Sequence, residues 1–353
     1  MKLNLVRAAL GLVAIAMAFP GCAPSPRVAQ SRALPAPIAN NAVAFGRDAA
    51  GKGTVYSFLG LGAGKTWRDV GKSAFACVED TLDCRRIDGP PVDQGRLAAA
   101  AAHVDGSIYL FGGYTVAEDG AEKSTPEVFR FDPATEQYAR VADMPTPVDD
   151  STAIVLFDRY VYLVSGWHDD GNVALTQVYD TREDRWFRAT DFPGAPVFGQ
   201  AGGGDGETLL VMGGVKTVSA DDGKRKFVAS NEAWIGRVAE NAPDDIEWSV
   251  APAPPVGPFY RMAASNGASL IYFAGGGDNP YNYNGVGYDG TPAKPSGRLI
   301  AFDAKRSEWS DFGEIPPSMD HRGLVVGERG LYLVGGLDKD LNVLGTITRI
   351  MTE

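Results

Sequence analysis

Apolar residues along this chain cluster in short runs that end in a small-Gly or Gly-Gly pair. "GSIYLFGG" (106–113), "RYVYLVSG" (159–166), "ETLLVMGG" (207–214), "SLIYFAGG" (269–276) and "RGLYLVGG" (329–336) follow one pattern. "GTVYSFLGLG" (53–62) reads as a degenerate sixth copy, closing on Gly62. Each run is apolar on both faces, which predicts a strand sandwiched between packed sheets rather than a half-exposed one.

The same companions surround every run. An Ala/Val-rich strand precedes it, as in "AAAAAHV" and "STAIVLF". A strand ending in Asp follows, as in "EVFRFDPATEQY" and "RLIAFDAKRSEW", and an aromatic residue (Tyr138, Trp186, Trp248 or Trp309) opens a fourth strand. A Pro-containing exit such as "ADMPTP" or "GEIPPS" then leads to the next copy. Four short antiparallel strands, repeated six times, predict an all-β propeller.

Gly-Gly after a hydrophobic strand, then an Asp turn and an aromatic residue, resembles the Kelch motif. The resemblance covers residues 33–353 and implies a six-bladed Kelch β-propeller. The last unit holds only three strands, and "SRALPAPIANN" before the first unit reads as an orphan fourth. The N-terminal strand is therefore expected to complete the sixth blade, because an open ring would expose a sheet edge.

In such blades successive turns alternate between two faces. The Gly-Gly and Pro exits should ring one mouth of the central channel, with the "DG" and "DPAT" turns opposite. The "DPAT" type is explained by turn chemistry alone.

Ahead of the propeller, Lys2 and Arg7 precede "AALGLVAIAMAF", an export signal too short to span a bilayer. Residues 1–21 read as signal peptide and 22–32 as a tether. Cleavage after Ala18 competes with lipidation of Cys22, which would make the protein a periplasmic or outer-membrane lipoprotein. Cys77 and Cys84, in "CVEDTLDC", suit a small disulfide closing a hairpin in an exported chain. Net charge is −11 and no basic run occurs, which disfavours nucleic acid as a partner. The three histidines are scattered over different units, so a copper-oxidase type of Kelch propeller does not fit. Neither a metal site nor a cofactor is implied.

Candidate chemistry gathers at the Gly-Gly mouth. The longest loop there, "GGGDNPYNYNGVGYDGTP" (275–292), offers Asn279, Tyr281, Tyr283 and Tyr288. Tyrosine rings suit the C–H faces of a sugar, and asparagine both donates and accepts. The alternative is a loop packed by its own tyrosines.

This loop, with "TVYSFLGLGAGKTW" and "RLAAAAAHVDGSIYLFGG", resembles the bacterial N-acetylneuraminate epimerase (sialic acid mutarotase) family. That resemblance implies exported sugar-ring isomerisation, with Asn282, Tyr283, Asn284, Gly285 and Tyr288 lining the sugar site. The chain departs from the family in its short blade three, and in carrying Val215 or Lys216 where the family has Glu.

Mutarotation needs a base at the anomeric hydroxyl and an acid at the ring oxygen, and a sialic acid's carboxylate needs an arginine. Asp150 and His321 are the candidates for proton exchange, and Arg261 for the carboxylate. Arg96, Trp167, Gln200, Tyr260 and Arg322 complete the expected substrate site, with His168 and Lys216 on its rim. Arg96 and Arg322 also have a purely structural reading, as bridges between blades. The rival function is a non-catalytic Kelch lipoprotein that binds a glycan or a protein partner, favoured by a mouth plugged with side chains.

Overall fold

A computed structural model describes residues 26–220, 224–257, 260–266 and 270–352. The signal peptide and Cys22 lie outside the described residues. Six four-stranded antiparallel sheets form the blades of a ring. Blade one comprises Ala42–Arg47, Gly53–Leu61, Val70–Val78 and Cys84–Ile87, ordered from the axis outward. The inner strands of the following blades are Ala100–Val104, Thr152–Leu156, Ala201–Asp205, Ala263–Ala264 and Val325–Val326.

The ring closes as the sequence implies. Arg27–Ala33 pairs antiparallel with Thr346–Met351 and supplies the outer strand of blade six. It starts earlier than the sequence reading had it, inside the segment taken as tether, and leaves through "LPAPI" into blade one.

Repeat chemistry explains how neighbouring blades are held. Tyr138 Oη donates to Asp88 O at 2.9 Å, Trp186 Nε1 to Ala142 O at 2.9 Å and Trp309 Nε1 to Pro252 O at 2.8 Å. Each outer-strand aromatic thus caps a backbone carbonyl of the preceding blade. Between inner strands contact is closer still: a Cβ on Gly203 would lie 1.9 Å from Ser265 O. The glycine run of blade four is the cost of that approach.

The Gly-Gly pairs turn the chain at one face. Gly113, at φ +85°, brings its backbone so near Leu97 that an added Cβ would sit 2.5 Å from Leu97 O. The residue after each pair bridges to the residue entering the inner strand: Leu61 with Ala39, Tyr114 with Leu97, Trp167 with Asp149, Val215 with Phe198, Gly277 with Tyr260 and Leu337 with Met319. This register corrects the degenerate first copy. Its turning pair is Leu59–Gly60, both at positive φ, and not Leu61–Gly62. Leu59 can substitute for glycine because its buried side chain packs against Tyr56, Phe58 and their neighbours.

Cys77 and Cys84 are directly opposed in the third and outer strands of blade one, and form the expected disulfide.

Candidate functional site

Each blade contributes one residue just before its inner strand in the left-handed backbone region: Asn40, Ala98, Asp150, Gly199, Arg261 and Asp320, with φ between 48° and 66°. Asparagine and aspartate tolerate this conformation; alanine and arginine rarely enter it. A belt of hydrogen bonds from blade to blade holds them there. Asn40 N donates to Asp320 O at 3.0 Å, Asp150 N to Ala98 O at 3.3 Å, Gly199 N to Asp150 O at 2.8 Å and Arg261 N to Gly199 O at 2.9 Å. The two remaining links run from Ala98 N to Asn40 Oδ1 at 2.6 Å and from His321 N to Arg261 O at 3.2 Å.

The belt's side chains cross the axis. Arg261 is 2% exposed; it grips Asp150 with two hydrogen bonds and reaches Asp320 Oδ1 at 3.1 Å. Arg322 Nη1 donates to Asp150 Oδ1 at 2.8 Å, and Asn40 Nδ2 to Asp320 Oδ1 at 2.8 Å. Two arginines and two aspartates therefore neutralise each other in a buried stopper. Burial opposes the charge on Arg261, but Asp150, Tyr260 and Asp320 outweigh it and raise the guanidinium pKa further. Burial raises Asp320, against the pull of Arg261, Arg322 and Asn40.

Above this stopper lies an apolar roof built from the Gly-Gly-face loops of all six blades. Leu61, Leu97, Tyr114, Val215, Tyr281 and Leu337 are buried in it, and Trp167, Phe227 and Tyr283 pack partly buried against it. Arg261 sits under the faces of Tyr260 and Tyr281, 4.8 Å and 5.4 Å from their centroids. Burial raises both phenols well above their ordinary range.

The mouth expected to be an open, polar sugar site is thus filled. Tyr260 and Tyr281 are core residues. Tyr288 is 44% exposed but stacks on Phe227 at 4.1 Å, and Asn279 ties the loop together through Asp289 and Thr291 O. Trp167 packs edge-on to Phe198, with Arg225 above its ring, and His168 Nδ1 bonds Pro147 O. Arg96 is drawn away from the axis to Glu127 and Gly112 O, which is its structural reading. Tyr283 and Arg261 do share one end of the channel: Tyr283 packs against the roof cluster and Arg261 lies against the ring of Tyr281 in that cluster.

The open space lies on the other side of the stopper. A cavity of about 620 Å³ follows the inner strands of the ring. Ser151, Gln200, His321 and Arg322 are at its floor, and Phe157, Asp158, Gly206 and Glu207 of the opposite turns are at its rim. Of the predicted residues, Gln200, His321 and Arg322 line this channel, whereas Asp150, Arg261 and the tyrosines do not. His321 Nε2 lies 2.9 Å from Ser318 Oγ, and burial lowers its pKa to about 4. No hydrogen bond joins it to Asp150 among the described residues, so the expected proton pair does not assemble.

Sequence reading missed Asn40 and Asp320. Asn40, Asp150 and Asp320 share a repeat position, and an Asn or Asp immediately before an inner strand was the available signal for a left-handed belt.

Fold and site define a six-bladed β-propeller with an axial channel stoppered at one end. Its repeat is of the Kelch type: the family model described as Kelch motif matches residues 95–145. Kelch-like protein 15 of Gallus gallus is 31% identical over 134 residues, covering 38% of this chain and 27% of that protein. Kelch-like protein terF of Aspergillus terreus (strain NIH 2624 / FGSC A1156) is 26% identical over 249 residues, covering 67% and 49%. The matches thus span between about a quarter and a half of the length of these relatives. The solved structure of YjhT superposes with a TM-score of 0.68 at 16% identity, covering 91% of this chain and 99% of that one, a likeness of fold. The chain is a six-bladed β-propeller that carries a Kelch motif in its second blade.

Proposed function

We propose that this protein is a non-catalytic binding propeller, exported and tethered by its N-terminus, that takes a small molecule into its axial channel from the face of the inner-strand turns. The observation that carries this reading is the stopper. Asp150 and Arg261, the groups best suited to a proton transfer and a carboxylate clamp, satisfy each other beneath an apolar roof. His321 lines the channel, but a base whose pKa is about 4 has little driving force for proton abstraction at neutral pH.

Sugar-ring isomerisation of the sialic acid mutarotase type is the second reading. It is supported by the resemblance of the 282–288 loop and by His321 and Arg322 sharing the channel floor. NMR exchange between the anomers of N-acetylneuraminate and of neutral sugars tests the two. The binding reading expects the same exchange rate with and without protein. Acceleration that is lost in His321→Gln would replace it with the isomerase.

A further inference from the structure

Asn266 of blade five reaches across the channel and behaves there like a piece of added strand. Its side-chain amide accepts from Val155 N at 3.3 Å and donates to Ala153 O at 2.7 Å. Ala153 and Val155 therefore turn their backbone groups toward the axis, at the edge of the inner strand that its own blade leaves unpaired. A carboxamide placed in the channel is received as a peptide unit is received at a sheet edge.

Ala101 of blade two and Gly202 of blade four hold the same place as Ala153. Each lies three residues after its blade's left-handed residue, and the register is shared: Ala101 pairs with Leu110, Ala153 with Leu163 and Gly202 with Val211. Ala153, with Asn266 bonded to it, is buried, whereas Ala101 and Gly202 are half-buried between buried neighbours. Among the described residues no group of another blade bonds the N–H or C=O of either. Blade five differs, because Leu324 N donates to Ala264 O at 2.8 Å.

The space between these edges suits a main chain. Ala44, Ala101, Ala153, Ala201, Gly202 and Gly323 are on its wall, so side chains do not screen the backbone from a ligand. An inner strand such as Ala100–Val104 spans roughly 17 Å, room for about four extended residues. Charge sets the direction. No lysine lines the channel, and Arg322 is taken up by Asp150 and Ser151 O. Exposed Asp158, Glu207 and Glu240 favour a free amino terminus at the rim, while the neutralised stopper favours an uncharged inner end.

From these edges we infer that the channel receives a short extended peptide with small side chains. Its amino terminus sits at the rim, and its main chain bonds Ala101 and Gly202. The inference rests on the binding reading above and names its ligand class.

Isothermal titration compares tetra-alanine amide with its N-acetyl form, with a form N-methylated at every internal amide, and with octylamine. The free amine should bind tightest, the N-acetyl form about threefold weaker, and the N-methylated form and octylamine about tenfold weaker or more. Amide hydrogen exchange followed by NMR should show Ala101 and Gly202 exchanging fast in the free protein and about tenfold slower or more with the peptide. Ala101→Pro removes one channel-facing donor without taking a bond from the blade's own ladder. It should weaken the peptide by about threefold or more and leave octylamine unchanged. Should that variant fail to fold, the exchange measurement on the wild type still decides. If the N-methylated peptide or octylamine binds as tightly as the parent, or neither amide gains protection, strand-like pairing is wrong while the channel still binds. Absence of binding by every probe overturns the inference, and acceleration of sugar anomer exchange in that case takes the binding reading with it.

Discussion

Arg261 of blade five holds Asp150 of blade three across the propeller axis, with Nε to Oδ1 at 3.0 Å and Nη2 to Oδ2 at 2.5 Å. The two residues are 111 positions apart and neither is more than 2% exposed. The fork geometry is that of a bidentate pair, which only arginine provides. Arg261→Met would leave Asp150 short of a partner and Asp320 with Asn40 alone. A loss of about 3–5 kcal/mol is expected, measured by denaturant unfolding. Arg261→Lys should recover little of it. Affinity of the channel for its ligand should stay near wild type in both variants, because Arg261 does not line the channel; a selective loss of binding with unchanged stability would make Arg261 a ligand contact instead.

The ring, the blade count and the closing strand were legible because they follow from a repeat. Strand periodicity, Gly-Gly turns and outer aromatics recur in register, so each copy corroborates the others. The site was less legible for the same reason. Repeat position told which side chains approach the axis, and Asp150, Gln200, Arg261, His321 and Arg322 do so. It did not tell which would pair with one another, since that depends on side-chain reach between blades distant in sequence. The tyrosine-rich loop shows the limit most plainly. Its composition fits a sugar platform and a self-packed roof equally, and Tyr281, fully buried against Tyr260 at 4.9 Å, decides for the roof at that position.

His321 should make the protein acid-sensitive. Burial lowers its folded pKa to about 4, from an ordinary value of 6.5. The unfolded chain therefore binds the proton first as pH falls. The neutral folded histidine costs nothing above pH 6.5, and stability is lost progressively between pH 6.5 and 4. The shift corresponds to about 3 kcal/mol. Asp149 works in the opposite sense. Burial, the neighbouring Asp150 and Glu122 raise its carboxyl well above the usual range, so its contribution is lost as pH rises. The comparison of wild type with His321→Gln removes that common background. Their stability difference should change by roughly 3 kcal/mol from pH 7 to pH 4; parallel pH curves would mean that His321 titrates normally.

The Cys77–Cys84 bridge closes a short hairpin at the outer edge of blade one. Loop-closure entropy for so small a ring puts its contribution at about 2 kcal/mol. The bridge is not needed to build the blade, because Cys77 is already buried in a core shared with Phe75 and Tyr332. The double Cys→Ala variant should therefore fold with the same strand content and melt a few degrees lower. A variant that fails to fold would show that the hairpin depends on its cross-link.

Closure of the ring by strand Arg27–Ala33 can be trapped chemically. Ser31 lies directly opposite Thr348, with the two hydroxyl oxygens 3.2 Å apart. Both positions are at or near the surface, so cysteines there would disturb no core. Ser31→Cys with Thr348→Cys should form a disulfide in air without any rearrangement of the fold. It would tie the first strand of the propeller to the last, across a sequence separation of 317, with an entropic stabilisation on the order of 6 kcal/mol as the upper bound. With Cys22→Ser in place and the Cys77–Cys84 pair sealed, a shift in electrophoretic mobility reports the new bond alone. Cutting the chain before Ala33 gives the converse: strand Thr346–Met351 becomes a bare sheet edge, and the truncated protein should self-associate through it. If the cysteines stay reduced and truncation leaves a stable monomer, the N-terminal strand does not seal the sixth blade.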